Sequence, residues 1–281
     1  MTLREACNNG SKFLHNAGIE NYTLDAAILL AKTLNTDRTQ LMANTEKQLD
    51  EHHYENYLNL LHRRADHECT AYITNSKNFR FLELYVDKNV LVPRPDTETL
   101  VETTITRIDK LKKIKNEIHI LDMCTGSGAV ALSLKHERPF VNIYASDISD
   151  KALSVARKNA EKYQLQDIHL IQSDIFENIT HKFDIITANA PYIPSGQLKT
   201  LQAEIQKEPV IALDGGEDGL EIIRRIINGA RKHLLQDGHI FLEAAPEQMS
   251  EITHLYTTAG FSNINIEHDL SGADRVACAM T

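Results

Sequence analysis

The sequence lacks the features that mark membrane, secreted and metal-binding proteins. It has no apolar run close to the roughly 20 residues that cross a bilayer, so we expect no membrane-spanning helix. Residues 1–20 include charged side chains and no long apolar stretch, so we expect no secretory signal and a cytoplasmic protein. The four cysteines form no Cys-x-x-Cys pair, which predicts reduced thiols and no metal site: Cys7, Cys69, Cys124 and Cys278.

The sequence also lacks an excess of positive charge. Its 30 basic and 39 acidic residues give a net charge of −9. Neither part is basic, because residues 1–90 hold 10 basic and 12 acidic residues and the remainder holds 20 and 27. A protein that grips a long stretch of nucleic acid normally carries a basic face. The charge balance therefore favours a protein or small-molecule substrate.

The length and the changes of pattern along the chain predict two domains. The 281 residues, 42% hydrophobic and 25% charged, have the composition of a globular protein. Residues 1–75 carry apolar stripes at helical spacing and predict a small all-α domain. Residues 76–92 are richer in aromatic and aliphatic side chains, are interrupted at Asp87–Asn89, and predict a β-hairpin linker. Residues 93–281 form the second predicted domain.

The second predicted domain alternates short apolar runs with helical stretches. Helices are predicted over residues 129–137, 150–163 and 220–235. This alternation is typical of a parallel sheet covered by helices on both faces, so we predict an α/β fold. Seven strands are predicted, at residues 118–122, 142–146, 168–172, 183–188, 239–243, 264–268 and 275–280.

Glycine or polar residues follow four of these strands, where an open parallel sheet binds its ligands. Gly126 and Gly128 follow the first strand and allow a tight turn close to a ligand, and Asp147 follows the second and can bind ribose hydroxyls. Asp174 follows the third strand, and Asn189-Ala190-Pro191-Tyr192 follows the fourth. Each feature alone is compatible with an ordinary turn, but together at one sheet edge they predict a binding site.

The spacing alone is compatible with a dinucleotide site. Gly126-x-Gly128-x-x-Ala131 satisfies the loose dinucleotide fingerprint, with Asp147 near the expected ~20 residues downstream. However, no residue for hydride transfer is evident, and this hypothesis leaves residues 189–192 without a role. A nicotinamide enzyme is therefore the minority hypothesis from spacing.

The same residues together resemble the Rossmann-like S-adenosylmethionine-dependent methyltransferases. The resemblance rests on Asp122-x-x-x-Gly126-x-Gly128, on Asp147 and on Asn189-x-Pro191-Tyr192. Three further runs narrow it to the release-factor glutamine N5-methyltransferases, the HemK/PrmC family, and extend it over nearly the whole chain. These runs are Val90-Leu91-Val92-Pro93-Arg94-Pro95-Asp96-Thr97-Glu98, Glu208-Pro209-x-x-Ala212-Leu213-x-Gly215-Gly216-x-Asp218-Gly219-Leu220 and Asp269-Leu270-x-Gly272-x-Asp274-Arg275-Val276.

The resemblance implies a fold, a reaction and a partner. The fold is a seven-stranded Rossmann-like domain whose last strand is antiparallel, preceded by a helical substrate-docking domain and the hairpin linker. The reaction is methyl transfer from S-adenosylmethionine to the N5 amide nitrogen of the glutamine in the Gly-Gly-Gln motif of class-one peptide-chain release factors. Together with the acidic charge balance, the resemblance leads us to expect no membrane association and no stable nucleic-acid binding.

The resemblance also assigns roles to residues. Asn189 and Ala190 supply two acceptors for the substrate amide, Pro191 keeps the segment extended, and Tyr192 packs on the flat amide. The cofactor is expected against Asn189 and against the residues that follow the first three strands. These are Cys124, Thr125, Gly126, Ser127, Gly128, Asp147, Asp174 and Ile175.

Two positions depart from the family pattern. Ala190 replaces the first proline of Asn-Pro-Pro-Tyr, which removes a φ restraint and predicts normal or reduced activity. Cys124 replaces a glycine and is expected to pack as a small hydrophobe. Two alternatives stay open beside the nicotinamide enzyme. One is a DNA or RNA methyltransferase acting on adenine N6 or guanine N2, and the other is a binding module that has lost catalysis.

Overall fold

The structure, a computed structural model, describes residues Met1–Thr281 and divides the chain into two compact units. The first unit contains Met1–Ser76 and Gln202–Lys207, and the second contains Lys77–Leu201 and Glu208–Thr281. The division made from the sequence placed residues 202–207 in the second domain. No helix combines the length and apolar character that crossing a bilayer requires.

The first unit consists of five helices, α1 (Leu3–Asn16), α2 (Tyr22–Thr33), α3 (Arg38–Ala43), α4 (Glu51–Ala65) and α5 (Thr70–Thr74). Helix α1 begins after Thr2 because Thr2 and Glu5 form a reciprocal capping box. Helix α4 begins after Asp50, whose side chain accepts the N–H of His53. Apolar side chains of α1, α2 and α4 form the core.

Ion pairs attach the segment 202–207 to the first unit. Arg64 of α4 is buried, and its guanidinium donates to Asp25 Oδ2 and to Glu204 Oε1, both at 2.7 Å. A buried arginine requires such compensation for its lost hydration. Because these partners are far apart in sequence, no local periodicity could assign residues 202–207 to the helical unit.

A short hairpin opens the second unit, with strands β1 (Lys77–Phe79) and β2 (Leu82–Leu84) paired antiparallel. Its turn is Arg80-Phe81. The predicted hairpin covered residues 76–92, but residues 85–92 form no strand. One reason is that the Tyr85 backbone N–H and C=O bond to the side chain of Asn159, at 2.7 and 2.9 Å.

The main sheet has seven strands in the order β5-β4-β3-β6-β7-β9-β8. Five adjacent strands are parallel, and β9 runs antiparallel to both of its neighbours. The predicted α/β fold with an antiparallel last strand is confirmed. The strands are β3 (His119–Met123), β4 (Asn142–Asp147), β5 (His169–Gln172), β6 (Phe183–Ala188), β7 (Leu234–Glu243), β8 (Ser262–His268) and β9 (Asp274–Met280).

Five helices cover the two faces of this sheet. They are α6 (Glu98–Leu111), α7 (Ala129–Glu137), α8 (Asp150–Lys162), α9 (Glu221–His233) and α10 (Met249–Thr258). Side chains alternate between two apolar clusters, because successive strand residues point to opposite faces. Ile120 and Ile185 pack with α6 and α7, whereas Leu121 and Ile186 pack with α9 and α10.

The register of the parallel strands aligns their carboxyl ends. Met123 of β3 lies beside Ser146 of β4 and Ala188 of β6. Ala188 in turn lies beside Leu242 of β7, and Ser146 beside Ile171 of β5. Strand order reverses between β3 and β6, which is where this class of sheet opens a crevice. The next residues along the five strands are Glu243, Asn189, Cys124, Asp147 and Gln172.

Candidate functional site

A cavity of about 640 Å³ lies at the carboxyl ends of β3, β4, β5 and β6. Its volume is typical of a site for a small ligand or cofactor. Nine predicted site residues line it: Cys124, Thr125, Gly126, Ser127, Asp147, Asp174, Ile175, Asn189 and Pro191. The other three, Gly128, Ala190 and Tyr192, do not line the cavity.

The loop after β3 turns its backbone toward the cavity. Gly126 and Gly128 have φ values of 55° and 82°, in the left-handed region that favours glycine. A Cβ on Gly126 would meet nothing within 4 Å, so the loop is open there. A Cβ on Gly128 would lie 2.9 Å from Leu132 and 3.4 Å from Ala156. Gly128 therefore allows α7 to begin close to α8, although it does not face the cavity.

Cys124 occupies a backbone position that suits glycine. Its φ of 54° costs an L-residue roughly 1–2 kcal/mol. This cost explains why the family pattern has glycine at this position. The side chain packs against the apolar cluster of α9 and α10. Burial and the nearby carboxylates of Asp147, Asp122 and Asp174 raise the pKa of the thiol. Cys124 is therefore a neutral packing residue and not a nucleophile.

Asp147 is held in place by the backbone around it. Its Oδ2 accepts the N–H of Gly126 and its Oδ1 accepts the N–H of Ser149, both at 2.9 Å. Burial raises the pKa of Asp147, while these hydrogen bonds act to lower it. The result is a fixed carboxylate at the cavity wall, which is a suitable acceptor for ligand hydroxyls.

Asp174 and Ile175 follow β5 and form another part of the wall. Asp174 Oδ2 forms an ion pair with Arg225 Nη2 at 2.8 Å, a partner that the sequence analysis did not identify. Ile175 has a φ of 50°, which is unusual for a β-branched residue. Ser173 Oγ supports this conformation by donating to the Ile175 carbonyl at 3.0 Å. Such strain is maintained only where the surrounding structure enforces it.

A buried carboxylate lies beneath the loop. Asp122 accepts a hydrogen bond from Thr125 Oγ1 at 2.6 Å and another from Thr187 Oγ1 at 2.9 Å. Burial raises the pKa of Asp122 to about 6, although both hydroxyls act to lower it. Together with Asp147 and Asp174, it gives the cavity a negative character that suits a cationic ligand.

The side-chain amide of Asn189 is fixed by Thr97 and lies near Glu243, two residues that the sequence analysis missed. Its Nδ2 donates to Thr97 Oγ1 at 3.0 Å, and Thr97 is buried where α6 begins. Glu243 ends β7 on the adjacent strand, and the Thr97 hydroxyl and the Asn189 amide both act to lower the pKa of its carboxylate. Burial outweighs them and raises the pKa of Glu243 to about 7. Glu243 is the last residue of the fifth predicted strand, so a rule that considered only the residues after each strand passed over it.

The segment after β6 is braced by the glycine-rich motif near residue 215. The Ile193 N–H donates to the Leu213 carbonyl at 3.0 Å. Gln248 Nε2 donates to the Tyr192 carbonyl at 2.9 Å and to the Gly219 carbonyl at 3.3 Å. A Cβ on Gly219 would lie 2.3 Å from the Tyr192 carbonyl oxygen. The glycine therefore permits a close backbone contact that holds the segment in place.

Ala190 and Tyr192 face the interior behind this segment. Ala190 is 2% exposed, and Tyr192 packs partly buried against the cluster of α9 and α10. Burial raises the pKa of Tyr192 to about 12, so its hydroxyl stays protonated at neutral pH. Both residues support the segment from its buried side.

The segment that carries Thr97 is tied down by ion pairs on two sides. Glu208 is buried and accepts a hydrogen bond from Arg94 Nη2 at 2.6 Å. Arg275 Nη2 lies 3.2 Å from Asp96 Oδ2. Ion pairs thus join the three runs that resemble the family, residues 90–98, 208–220 and 269–276, and hold the residues around Thr97 in place. Arg94 takes part in one of these ion pairs and does not line the cavity.

Comparison with known proteins matches both parts of the chain. Residues 5–74 match the PrmC N-terminal domain, and residues 102–217 match the methyltransferase small domain. The release factor glutamine methyltransferase of Clostridium acetobutylicum is 34% identical over 285 residues, covering 100% of this chain and 99% of that protein. The protein of the same name from Moorella thermoacetica is 36% identical, covering 98% and 97%. A bifunctional methyltransferase of Rickettsia bellii is 36% identical, but the chain spans only 54% of its length.

Solved methyltransferase structures share the fold. The hMettl16 catalytic domain, solved with an RNA hairpin, aligns with a TM-score of 0.57 and 15% identity over 83% of this chain and 82% of that one. The 16S rRNA methyltransferase RsmC from T. thermophilus aligns with a TM-score of 0.52 and 19% identity over 73% and 49%. At these identities the likeness shows the Rossmann-like fold alone.

We expect Gly219→Ala to destabilise the second unit more than Gly272→Ala does. Both glycines have left-handed φ values, 78° and 84°, so each variant carries the roughly 1–2 kcal/mol cost of an L-residue there. Only at Gly219 does the added Cβ meet backbone, since nothing lies within 4 Å at Gly272. Urea unfolding of the full chain measures the difference, and equal midpoints for the two variants would contradict the bracing contact.

We expect Glu243→Gln to stabilise the protein more at pH 8 than at pH 5. The pKa of Glu243 is about 7 when folded, above its ordinary value of 4.5. The stability contribution of this raised pKa is complete below about pH 4.5 and is lost as the pH rises through about 7. Glutamine cannot ionise, so the variant's advantage in unfolding free energy grows across this window, by up to about 3 kcal/mol.

Thermal unfolding at the two pH values measures this change. The matched control is Glu247→Gln, because Glu247 is exposed near the same strand end. An advantage for Glu243→Gln that stays constant between pH 5 and pH 8 would show that Glu243 does not titrate in this range.

Proposed function

The chain belongs to the family of release factor glutamine methyltransferases, and we propose that it methylates the side-chain amide nitrogen of a release-factor glutamine with S-adenosylmethionine as donor. Membership rests on relatives that align over the whole chain. The observation that carries the mechanism is the fixed amide of Asn189, whose nitrogen is bound to Thr97 at 3.0 Å. The Asn189 oxygen is thereby kept for a planar NH₂ group.

The residues of the cavity suit S-adenosylmethionine, which supplies an electrophilic methyl group when it is bound. The carboxylates of Asp122, Asp147 and Asp174 suit its sulfonium cation. These carboxylates would repel the negatively charged pyrophosphate of a dinucleotide. The one arginine in the wall, Arg225, is already paired with Asp174 and is not free to bind it. This charge pattern counts against the nicotinamide enzyme.

We assign the parts of the cofactor by position in the cavity. Residues 124–127 bind the methionine portion through backbone groups of the open loop, and Gly128 shapes the loop without lining the cavity. Asp147 accepts the ribose hydroxyls, because both of its oxygens are fixed by backbone N–H groups and remain at the wall. Asp174 and Ile175 border the adenine, with Asp174 Oδ2 shared with Arg225.

The substrate nitrogen needs positioning because it is a poor nucleophile. Its lone pair is delocalised into the amide carbonyl. Asn189 Oδ1 and the Ala190 carbonyl each accept one N–H of the NH₂ group, which fixes the amide plane and presents the nitrogen to the cofactor side of the cavity. Positive charge develops on the nitrogen as the new bond forms, and the two oxygens stabilise it. Tyr192 holds this segment from its buried side.

A base methyltransferase uses a similar acceptor pair, but it is not favoured. The chain carries a net charge of −9, whereas a protein binds nucleic acid by neutralising the phosphates with basic side chains. The RNA-bound structural neighbour is only 15% identical and shares the fold alone. We therefore propose a protein substrate, class-one release factors, with the helical residues 1–75 as its docking domain.

We expect a class-one release factor to gain one methyl group on the glutamine of its Gly-Gly-Gln motif. Mass spectrometry after incubation with the full chain and S-adenosylmethionine locates it. Asn189→Ala is expected to reduce transfer at least ~100-fold, because it removes an acceptor of the developing charge. Cofactor affinity stays within about threefold, since the loop and Asp147 are intact.

The matched control is Asn116→Ala, because Asn116 is exposed and outside the cavity. Transfer by Asn189→Ala within a few-fold of the unchanged protein would refute the role of Asn189. Cofactor binding without release-factor methylation, together with salt-dependent binding of RNA or DNA, would instead indicate a base methyltransferase.

We expect Ala190→Pro, which restores the family's residue, to change the transfer rate by less than about threefold. The segment is already held by Gly219 and Gln248, so proline acts mainly by restricting the unfolded chain, worth about 0.4–1 kcal/mol. Single-turnover rates and thermal unfolding of both proteins measure the two effects. A rate increase of tenfold or more would show that Ala190 leaves the segment poorly ordered.

A further inference from the structure

An asparagine side chain has two ends of similar shape and opposite function. Its oxygen accepts hydrogen bonds and its NH₂ group donates them, and a half-turn about the last side-chain bond exchanges the two. Only the oxygen end of Asn189 can accept an N–H from a substrate amide. The proposed reaction therefore requires something that selects one orientation.

We propose that Thr97 and Glu243 are positioning residues that fix the orientation of the Asn189 amide, with its oxygen toward the substrate. This inference rests on the function proposed above. Asn189 Nδ2 donates to Thr97 Oγ1 at 3.0 Å. Glu243 is the residue next to Asn189 on the adjacent strand, and both Thr97 and Asn189 act to lower the pKa of its carboxylate. An ionised carboxylate attracts the NH₂ end of an amide and repels the oxygen end. Glu243 therefore favours the orientation in which the NH₂ end of Asn189 binds Thr97 and the oxygen end faces away.

The three residues come from three separate elements of the sheet domain. Asn189 follows β6, Glu243 ends β7, and Thr97 precedes α6. The register places Ala188 beside Leu242, which makes Asn189 and Glu243 the next residues on adjacent strands. Asn189 and Thr97 also line the cavity, whereas Glu243 does not. Glu243 thus acts on the site through the other two residues.

Glu243 has no ion-pair partner that would explain its burial. Its side chain is 1% exposed, and Oε2 has no hydrogen-bond partner. The nearby Arg275 uses its guanidinium to pair with Asp269 at 3.0 Å and Asp96 at 3.2 Å. A buried carboxylate held this way destabilises the fold. Its place beside Asn189 provides a functional reason for that cost.

The first test removes the hydroxyl that accepts the hydrogen bond of Asn189 Nδ2. Thr97→Val keeps the shape of the side chain, and we expect kcat for release-factor methylation to fall about 10- to 100-fold. The KM for the release factor and the Kd for S-adenosylmethionine stay within about threefold, because valine keeps the shape of the wall at residue 97 and the loop and Asp147 are unchanged. Thr97→Ser keeps the hydroxyl and is expected to lose less than about threefold.

The matched control is Thr104→Val in α6, the helix that Thr97 precedes. Thr104 is fully buried, but its hydroxyl donates to the Leu100 carbonyl at 2.7 Å and takes no part in the cavity. We expect this variant to keep kcat within about twofold. It therefore controls for the general effect of replacing a buried threonine by valine.

The second test asks whether the two residues act only through Asn189. Glu243→Met removes the acceptor while keeping an unbranched chain of similar volume, and we expect the same selective loss of kcat. In the Asn189→Ala background, we expect Thr97→Val to cause no further loss of the residual single-turnover rate, because the side chain that it positions is absent.

The outcomes separate this inference from the proposed function. If the unchanged protein methylates the release factor while Thr97→Val and Glu243→Met both keep kcat within twofold, the positioning role is refuted and the proposed function stands. A further loss on adding Thr97→Val to Asn189→Ala also refutes it. If the unchanged protein methylates no release factor, both proposals fail. If Glu243→Met does not fold, the comparison of Thr97→Val with its two controls, Thr97→Ser and Thr104→Val, decides whether the positioning role holds.

Discussion

The site depends on the register of the parallel strands on either side of the point where strand order reverses. Because Leu242, Ala188, Met123 and Ser146 lie in one row, the residues after them meet at one edge of the sheet. Residues more than a hundred positions apart in sequence thus become neighbours. A shift of one residue in any strand would turn its side chains to the other face and separate them.

Several loops are then held against this edge by contacts that leave their ligand-facing groups free. Asp147 is bonded through backbone N–H groups, Asp122 through threonine hydroxyls, and Asn189 through its amide nitrogen. In each case the protein fixes a polar group of the cavity wall by hydrogen bonds of its own. Such preorganisation lowers the ordering that binding would otherwise require.

This arrangement reduces stability locally. Burial raises the pKa of Asp122 to about 6 and that of Glu243 to about 7, so ionising either group costs more free energy in the folded protein than in the unfolded chain. Cys124 and Ile175 add backbone conformations that L-residues rarely adopt, with φ values of 54° and 50°. The aliphatic clusters on both faces of the sheet offset these costs.

The sequence by itself determined the α/β alternation and the strand-end residues of the cavity, because hydrophobic period and glycine or acidic turn residues are local signals. The strand Phe183–Ala188 and the helix Ala129–Glu137 have the predicted bounds for this reason. Only the tertiary structure decided that Thr97 binds the amide nitrogen of Asn189, that Glu243 lies on the adjacent strand, and that residues 202–207 belong to the helical unit. Those contacts join elements that are distant in sequence. Strand register and buried charge pairing bring the elements together, and neither is encoded in a local sequence period.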